Sequence, residues 1–280
     1  MRKKGLGMPH RPRKRFGQNF LVEKNIRSKI IQACAFNADD IVLEIGAGRG
    51  EMTGLISQEA KKVYAVEVDR DLQALLKEKF RNRDNVEIIS QDILKFDLRK
   101  RFDSIKKKII VFGNIPYYIS TPIIERIFDS KEKVSAAFLT VQKEFAKRIV
   151  AKPGSKIFGA LSCFVQYHST PEILLDIDKG CFFPVPKVDS SFLRLEIRNK
   201  PLLAGAEEKA FFRVVRAAFN MRRKTLRNSL SGIVNPEALE KFFKDLSFDR
   251  NARPEELKVS DFIDLARISL ESGKINKKKA

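Results

Sequence analysis

The sequence predicts a two-domain α/β protein: a mainly parallel sheet wrapped by helices, then a small all-helical domain. Three observations predict it. Short β-branched runs alternate with helical patterns from residue 41 to about 197, the sequence form of βαβ units. The first run leads into Gly46-Ala47-Gly48-Arg49-Gly50, with glycines at alternate positions opening a helix. After Asn199-Lys200-Pro201 the strand signal stops and helical patterning continues, which sets the domains at 1–200 and 201–280.

A basic arm comes first. Arg2, Lys3, Lys4, Arg11, Arg13, Lys14 and Arg15 precede the first acidic residue, Glu23, and read as a phosphate-tracking segment, a solubilising tail or a transit peptide. The next stretch, Phe16-Gly17-Gln18-Asn19-Phe20-Leu21, argues against a disposable leader. A helix is expected over 23–36. Strands are expected at 41–45, 63–68, 86–89, 108–112, 136–141, 172–177 and 190–197. The last two have no convincing helix between them, so an antiparallel hairpin at the sheet edge is expected, connected around Phe182-Phe183-Pro184-Val185-Pro186. In 211–230, Phe212, Val215, Phe219, Leu226 and Leu230 share one side of a helix, with Arg213, Arg216, Arg223 and Arg227 beside it. That pattern fits a core face with a solvated flank, or an RNA surface.

Composition narrows the classes. The chain is 43% hydrophobic over 280 residues, and no apolar run approaches the roughly 18 residues needed to span a bilayer, so a soluble cytoplasmic protein is expected. Cys34, Cys163 and Cys181 are widely spaced and lack metal-ligand spacing, and the only histidines are His10 and His168. A zinc site or a histidine-based triad has little material, and no metal is expected. Fifty-five basic residues against 35 acidic ones give a formal charge of +20, which points to a polyanionic partner.

The chemistry concentrates in Gly113-Asn114-Ile115-Pro116-Tyr117-Tyr118. An exocyclic amine on adenine is a poor nucleophile because its lone pair is delocalised into the ring. The Asn114 side-chain oxygen and the Ile115 carbonyl can each accept one of its N–H bonds, favouring a pyramidal nitrogen. Pro116 stiffens the loop, and Tyr117 can stack on the base. The same residues also fit an ordinary strand-to-helix turn with a packing tyrosine. The glycine loop differs from both the dinucleotide fingerprint and the P-loop. Glu67, about 20 residues on, ends the second strand, where a carboxylate can take both ribose hydroxyls, and Asp92 follows the third. Asp69 reads as the cap of the next helix.

Glycine loop, ribose acid, third-strand Asp and Asn-x-Pro-Tyr together resemble the S-adenosylmethionine-dependent methyltransferases of exocyclic amines, with a Rossmann-like seven-stranded sheet. Longer motifs are similar to those of the small-subunit ribosomal RNA adenine dimethyltransferases, the KsgA family. They include Arg15-Phe16-Gly17-Gln18-Asn19-Phe20-Leu21, Val66-Glu67-Val68-Asp69, Gln91-Asp92-Ile93-Leu94, Phe182 to Ser190 and Phe219 to Leu230. The resemblance implies that Asn19 and Leu21 close over S-adenosylmethionine. It puts Gly46 at the methionine part, Glu67 at the ribose, Asp92 at the adenine and Asn114 beside the methyl. Phe182 would cover the target adenine opposite Tyr117. Arg13, Lys14, Arg15, Arg222, Arg223, Lys224 and Arg227 are expected on RNA.

The implied reaction is dimethylation of two adjacent adenines near the 3′ end of small-subunit RNA, with a role in subunit biogenesis, by a monomer acting on the immature particle. Ile115 in place of the more usual Leu also resembles the large-subunit adenine methyltransferases of macrolide resistance. A non-catalytic RNA-binding assembly or transcription factor is the rival of another class.

Overall fold

The computed structural model describes residues 11–13, 16–220, 224–249 and 251–271. The chain folds as two compact units, Met1–Ala146 with Glu172–Asn199, and Lys147–Pro171 with Lys200–Ala280. Segment 147–171 therefore groups with the second unit, whereas the sequence placed a single division near 200. Its helix buries Cys163 and Tyr167 among the C-terminal apolar residues, a long-range pairing that local periodicity does not encode.

In the first unit the strands are β1 (Phe20–Leu21), β2 (Ile41–Ile45), β3 (Lys62–Glu67), β4 (Val86–Ser90), β5 (Ile109–Asn114), β6 (Val134–Gln142), β7 (Ser169–Ile177), β8 (Phe182–Phe183) and β9 (Ser190–Ile197). Seven of them form one sheet in the order β4-β3-β2-β5-β6-β9-β7. β2 lies parallel to β3 and β5, and β5 parallel to β6, while β9 returns antiparallel against β6. Every strand expected of this sheet is present. The last two, β7 and β9, lie side by side at one edge of the sheet, where a hairpin was expected, with β7 outermost.

The helices α1 (Lys24–Cys34), α2 (Glu51–Glu59), α3 (Arg70–Lys79), α4 (Leu98–Arg101), α5 (Ser120–Asp129) and α6 (Lys143–Ile149) connect the strands. Burial on both sheet faces explains the continuous apolar runs: Val42, Leu43, Val63, Ile109 and Val111 are all fully buried. The chain builds β2-β3-β4 outward in one direction, then returns to place β5 on the other side of β2. That reversal opens a crevice beyond the carboxyl ends of β2 and β5, the place where such sheets take ligands.

β1 and β8 make a separate two-stranded ladder that periodicity did not predict. Phe20 lies opposite Phe183 and Leu21 opposite Phe182. Two-residue strands carry no detectable alternation.

The second unit contains α7 (Ala160–His168), α8 (Ala206–Phe219), α9 (Leu226–Ser229), α10 (Pro236–Asp245) and α11 (Val259–Glu271). Its core holds Tyr167, Phe211, Val214 and Phe262, with the Tyr167 and Phe211 rings stacked at 4.5 Å. Burial, with Glu208 nearby, pushes the Tyr167 hydroxyl up to about 12. The helix expected across 211–230 is interrupted. α8 ends at Phe219, and Thr225 starts α9 by accepting from Asn228 N at 3.4 Å. Leu226 N is also drawn to Ala252 O at 2.8 Å. A threonine cap and a tertiary hydrogen bond override the helical period there.

Candidate active site

The crevice is a cavity of about 370 Å³ lined by the ends of β2, β3 and β5, the segment after β4, and the arm 16–20. That size suits a cofactor-sized ligand. The glycine loop floors it. Gly46, Gly48 and Gly50 all have φ between +59° and +77°, a region a side chain rarely enters. At Gly50 a Cβ would stand 2.6 Å from the Phe80 ring, so the start of α2 is open only to glycine.

Glu67 ends β3 inside the cavity. Its Oε2 accepts Gly48 N at 2.9 Å, and Oε1 accepts the N–H groups of Val68 and Asp69, each at 2.9 Å. Burial raises its carboxyl above the usual range, and the three N–H donors oppose that shift. The carboxylate thus locks the glycine loop to the turn after β3. Asp92 lines the same cavity and caps the short turn 93–95, its Oδ1 accepting Leu94 N at 2.9 Å.

Behind the loop, Glu44 is fully buried in β2, and the Thr53 hydroxyl donates to its Oε2 at 2.5 Å. Burial raises its carboxyl to about 8, with Glu67 adding repulsion.

Asn114 is the last residue of β5 and lines the cavity. Its amide nitrogen donates to Asn19 O at 2.9 Å, which fixes which end of the amide faces where: with Nδ2 turned to the arm, Oδ1 is turned away from it. Ile115 N donates to Thr140 O at 3.3 Å, fixing the plane of that peptide, and the Ile115 side chain is buried. Pro116 heads a short helical turn, Tyr117–Ile119, that runs into α5. The Tyr117 hydroxyl shares a 2.7 Å hydrogen bond with Ser190 Oγ at the start of β9. Burial raises its pKa above the ordinary phenol value.

The structure brings Asn19, Gly46, Glu67, Asp92, Asn114, Ile115, Pro116 and Tyr117 to one cavity. Two expected neighbours are elsewhere. Phe182 is 1% exposed and packs in the core with Leu21, so its ring does not offer a face to a base. Leu21 likewise sends its side chain to that core, leaving only its backbone on the arm. The reason is strand alternation: Leu21 and Phe182 pair on the inner face of the β1–β8 ladder, while Phe20 and Phe183 pair on the outer one. Phe20 accordingly lines the cavity, beneath the Arg49 guanidinium at 4.6 Å, and Phe183 is 54% exposed.

Of the expected RNA contacts, Lys14, Arg15, Arg222 and Arg223 lie outside the described residues. Lys224 is exposed. Arg227 pairs with Glu240 at 3.2 Å. Arg13, expected on phosphate, is instead held by carboxylates, 3.0 Å from Asp69 and 2.5 Å from Asp71. Asp69 does cap α3 as expected, accepting Asp71 N at 3.1 Å. Sequence reasoning gave Gln18, Ser190 and the buried Glu44 no role. Gln18 carried a weak signal, a polar residue between two aromatics in a segment too apolar to be a tail.

The chain is similar to known proteins over most of its length. A family model described as ribosomal RNA adenine dimethylase matches residues 9–270. Ribosomal RNA small subunit methyltransferase A of Caldanaerobacter subterraneus subsp. tengcongensis is 41% identical over 259 residues, covering 91% of this chain and 96% of its own. Its counterpart in Moorella thermoacetica is 39% identical over 279 residues, covering 95% and 94%. Among solved structures, a dimethyladenosine transferase from Plasmodium falciparum superposes with a TM-score of 0.78 at 25% identity, covering 90% of this chain and 98% of that one. The 23S rRNA methyltransferase ErmE superposes at 0.75 with 24% identity, covering 90% and 100%, a likeness of fold.

Proposed function

The chain belongs to the ribosomal RNA adenine dimethylase family, and we propose that it dimethylates the N6 amines of two adjacent adenines near the 3′ end of 16S rRNA. The sulfonium of S-adenosylmethionine supplies the methyl group as an electrophile. The residues of the cavity fit that donor: a glycine loop at a helix start for its methionine part, Glu67 for the ribose hydroxyls, and Asp92 for the amine of its adenine. Asn19 and the Leu21 backbone close over it.

The observation that carries the reading is the fixed amide of Asn114. With its nitrogen committed to Asn19 O, Asn114 has its side-chain oxygen left as an acceptor, and Ile115, which also lines the cavity, would offer its carbonyl as another. Two acceptors hold the two N–H bonds of adenine N6 and leave its lone pair for the methyl group. Tyr117, tethered to Ser190, offers a face to the extruded base. Once methylated, the cationic amine is a strong acid and loses its proton to water, so no side chain has to act as a base. The reading needs no metal.

The RNA is the small-subunit rRNA in its immature particle, which implies a cytoplasmic enzyme with a role in subunit biogenesis, working as a monomer. No described helix is long and apolar enough to cross a membrane. We assign RNA contact to Lys14, Arg15, Arg222, Arg223, Lys224 and Arg227, with residues 201–280 as the RNA- and ribosome-binding part and the preceding residues as the methyltransferase part. Relatives named for the small subunit, at about 40% identity over nearly the whole chain, favour this RNA over the large-subunit one.

The test is incubation with labelled S-adenosylmethionine and unmethylated small-subunit particles, followed by nucleoside analysis. Dimethyladenosine in small-subunit RNA is expected. Label confined to large-subunit RNA overturns the choice of substrate, and no label in either overturns the activity.

A further inference from the structure

One carboxylate in the first unit has more partners than a helix cap requires. Asp69 is fully buried and accepts Asp71 N, yet its charge is met from the arm. Arg13 Nη1 stands 3.0 Å from Oδ1, and Gln18 Nε2 donates to Oδ2 at 3.0 Å. Arg13 Nη2 also meets Asp71 at 2.5 Å, and Arg13 N donates to Gln18 Oε1 at 2.7 Å, so both ends of the Gln18 amide are engaged. The next residue is Asn19, whose carbonyl holds Asn114. On the other side, Asp69 N donates to Glu67 Oε1. A continuous polar chain therefore runs from Glu67 through Asp69, Gln18 and Asn19 to Asn114.

We propose that Arg13, Gln18 and Asp69 form a latch that fastens the arm across the cavity and, through the Asn19 carbonyl, sets the amide of Asn114 for reaction. All three are positioning residues; none touches the reacting atoms. The idea rests on the methyl-transfer reading of Asn114. A side-chain amide free to turn presents its NH₂ as readily as its oxygen, and an NH₂ facing the substrate amine sets donor against donor. Among its described residues the arm has only a single turn at Phe16, whose N–H donates to Arg13 O, and the two-residue β1 to keep its register. A buried carboxylate answered by one guanidinium nitrogen and an amide, with the second guanidinium nitrogen on Asp71, is a geometrically specific anchor.

Reversing the polarity of the latch tests it. Gln18→Glu sets a second carboxylate against Asp69. Adding Asp69→Asn restores a carboxylate–amide pair with donor and acceptor exchanged, and keeps an acceptor to cap α3. Gln18→Glu should lower kcat on small-subunit particles by roughly 10- to 100-fold, with KM for S-adenosylmethionine changing less than about threefold. Hydrogen exchange of residues 16–21 should quicken, and the double variant should recover both properties. Unchanged exchange in Gln18→Glu, or a double variant as slow as the single one, overturns the latch. Exchange is read on the protein alone, so it judges the latch even where the wild-type chain methylates nothing, an outcome that overturns the activity reading instead.

Discussion

Asn114 and Glu67 share a cavity but do different work. On the proposed reading Asn114→Ala removes an acceptor for the reacting amine, so kcat should fall by about 100-fold or more while cofactor affinity stays within roughly threefold. Glu67→Ala should instead weaken cofactor binding by about 10-fold or more, and it also strands the N–H groups of Gly48, Val68 and Asp69. Calorimetric titration with the cofactor beside single-turnover kinetics separates the two; equal loss of affinity in both variants would sink the assignment. Glu44 makes a different prediction. Its folded carboxyl sits near 8 against an ordinary 4.5, so the folded state holds the proton more tightly than the unfolded chain. Its stabilising effect is complete below about pH 4.5 and is lost as pH rises towards 8, at no more than about 1.4 kcal/mol per pH unit. Glu44→Gln should flatten that decline in guanidinium unfolding measured between pH 5 and 8. An unchanged slope would show that Glu44 is ionised in the fold.

At the scale of elements, the β1–β8 ladder decides which aromatic is structural. Phe182→Ala should cost about 3–5 kcal/mol of stability, as a large side chain deleted from a core does, whereas Phe183→Ala should cost less than about 1 kcal/mol. Urea midpoints measure both, and the reverse ranking would mean that the ladder faces the other way. The main sheet was legible in the sequence because its strands are short apolar runs, rich in β-branched residues from β2 to β5, and Ile41–Ile45 and Ser190–Ile197 match to the residue. Glu67, Asp92 and Asn114 were legible because each follows or ends such a run. Phe182 and Leu21 were not, since their facing is set by two cross-strand pairs, Leu21 with Phe182 and Phe20 with Phe183, that join segments far apart in the chain. The break after Phe219 was hidden too, because apolar spacing continues through Leu226 and Leu230 while the backbone is claimed by Thr225 and Ala252.

At the scale of the whole molecule, a formal charge of +20 should make affinity for RNA strongly salt-dependent. Neutralising Arg222, Arg223, Lys224 and Arg227 together should weaken particle binding and lower the slope of log K against log salt by roughly 0.7–0.9 for each cation that meets a phosphate. Binding assays at several salt concentrations measure that slope, and an unchanged one removes RNA contact from this segment. The net charge announced a polyanion directly. It did not reveal that Arg13 is spent inside the protein, because the carboxylates that hold it, Asp69 and Asp71, lie more than 50 residues further along the chain.

The commitment of the Asn114 nitrogen to Asn19 also bears on how a cycle of catalysis ends. On the reading proposed for Asn114 and Ile115, the site grips its substrate through hydrogens, and each transfer replaces one of them with a methyl group. After two transfers the amine has nothing left to donate, and two carbonyl oxygens face a nitrogen they can no longer hold. On that reading dimethylation erases the hydrogen-bonded part of its own recognition: the count stops at two, and the finished adenine is held by stacking alone.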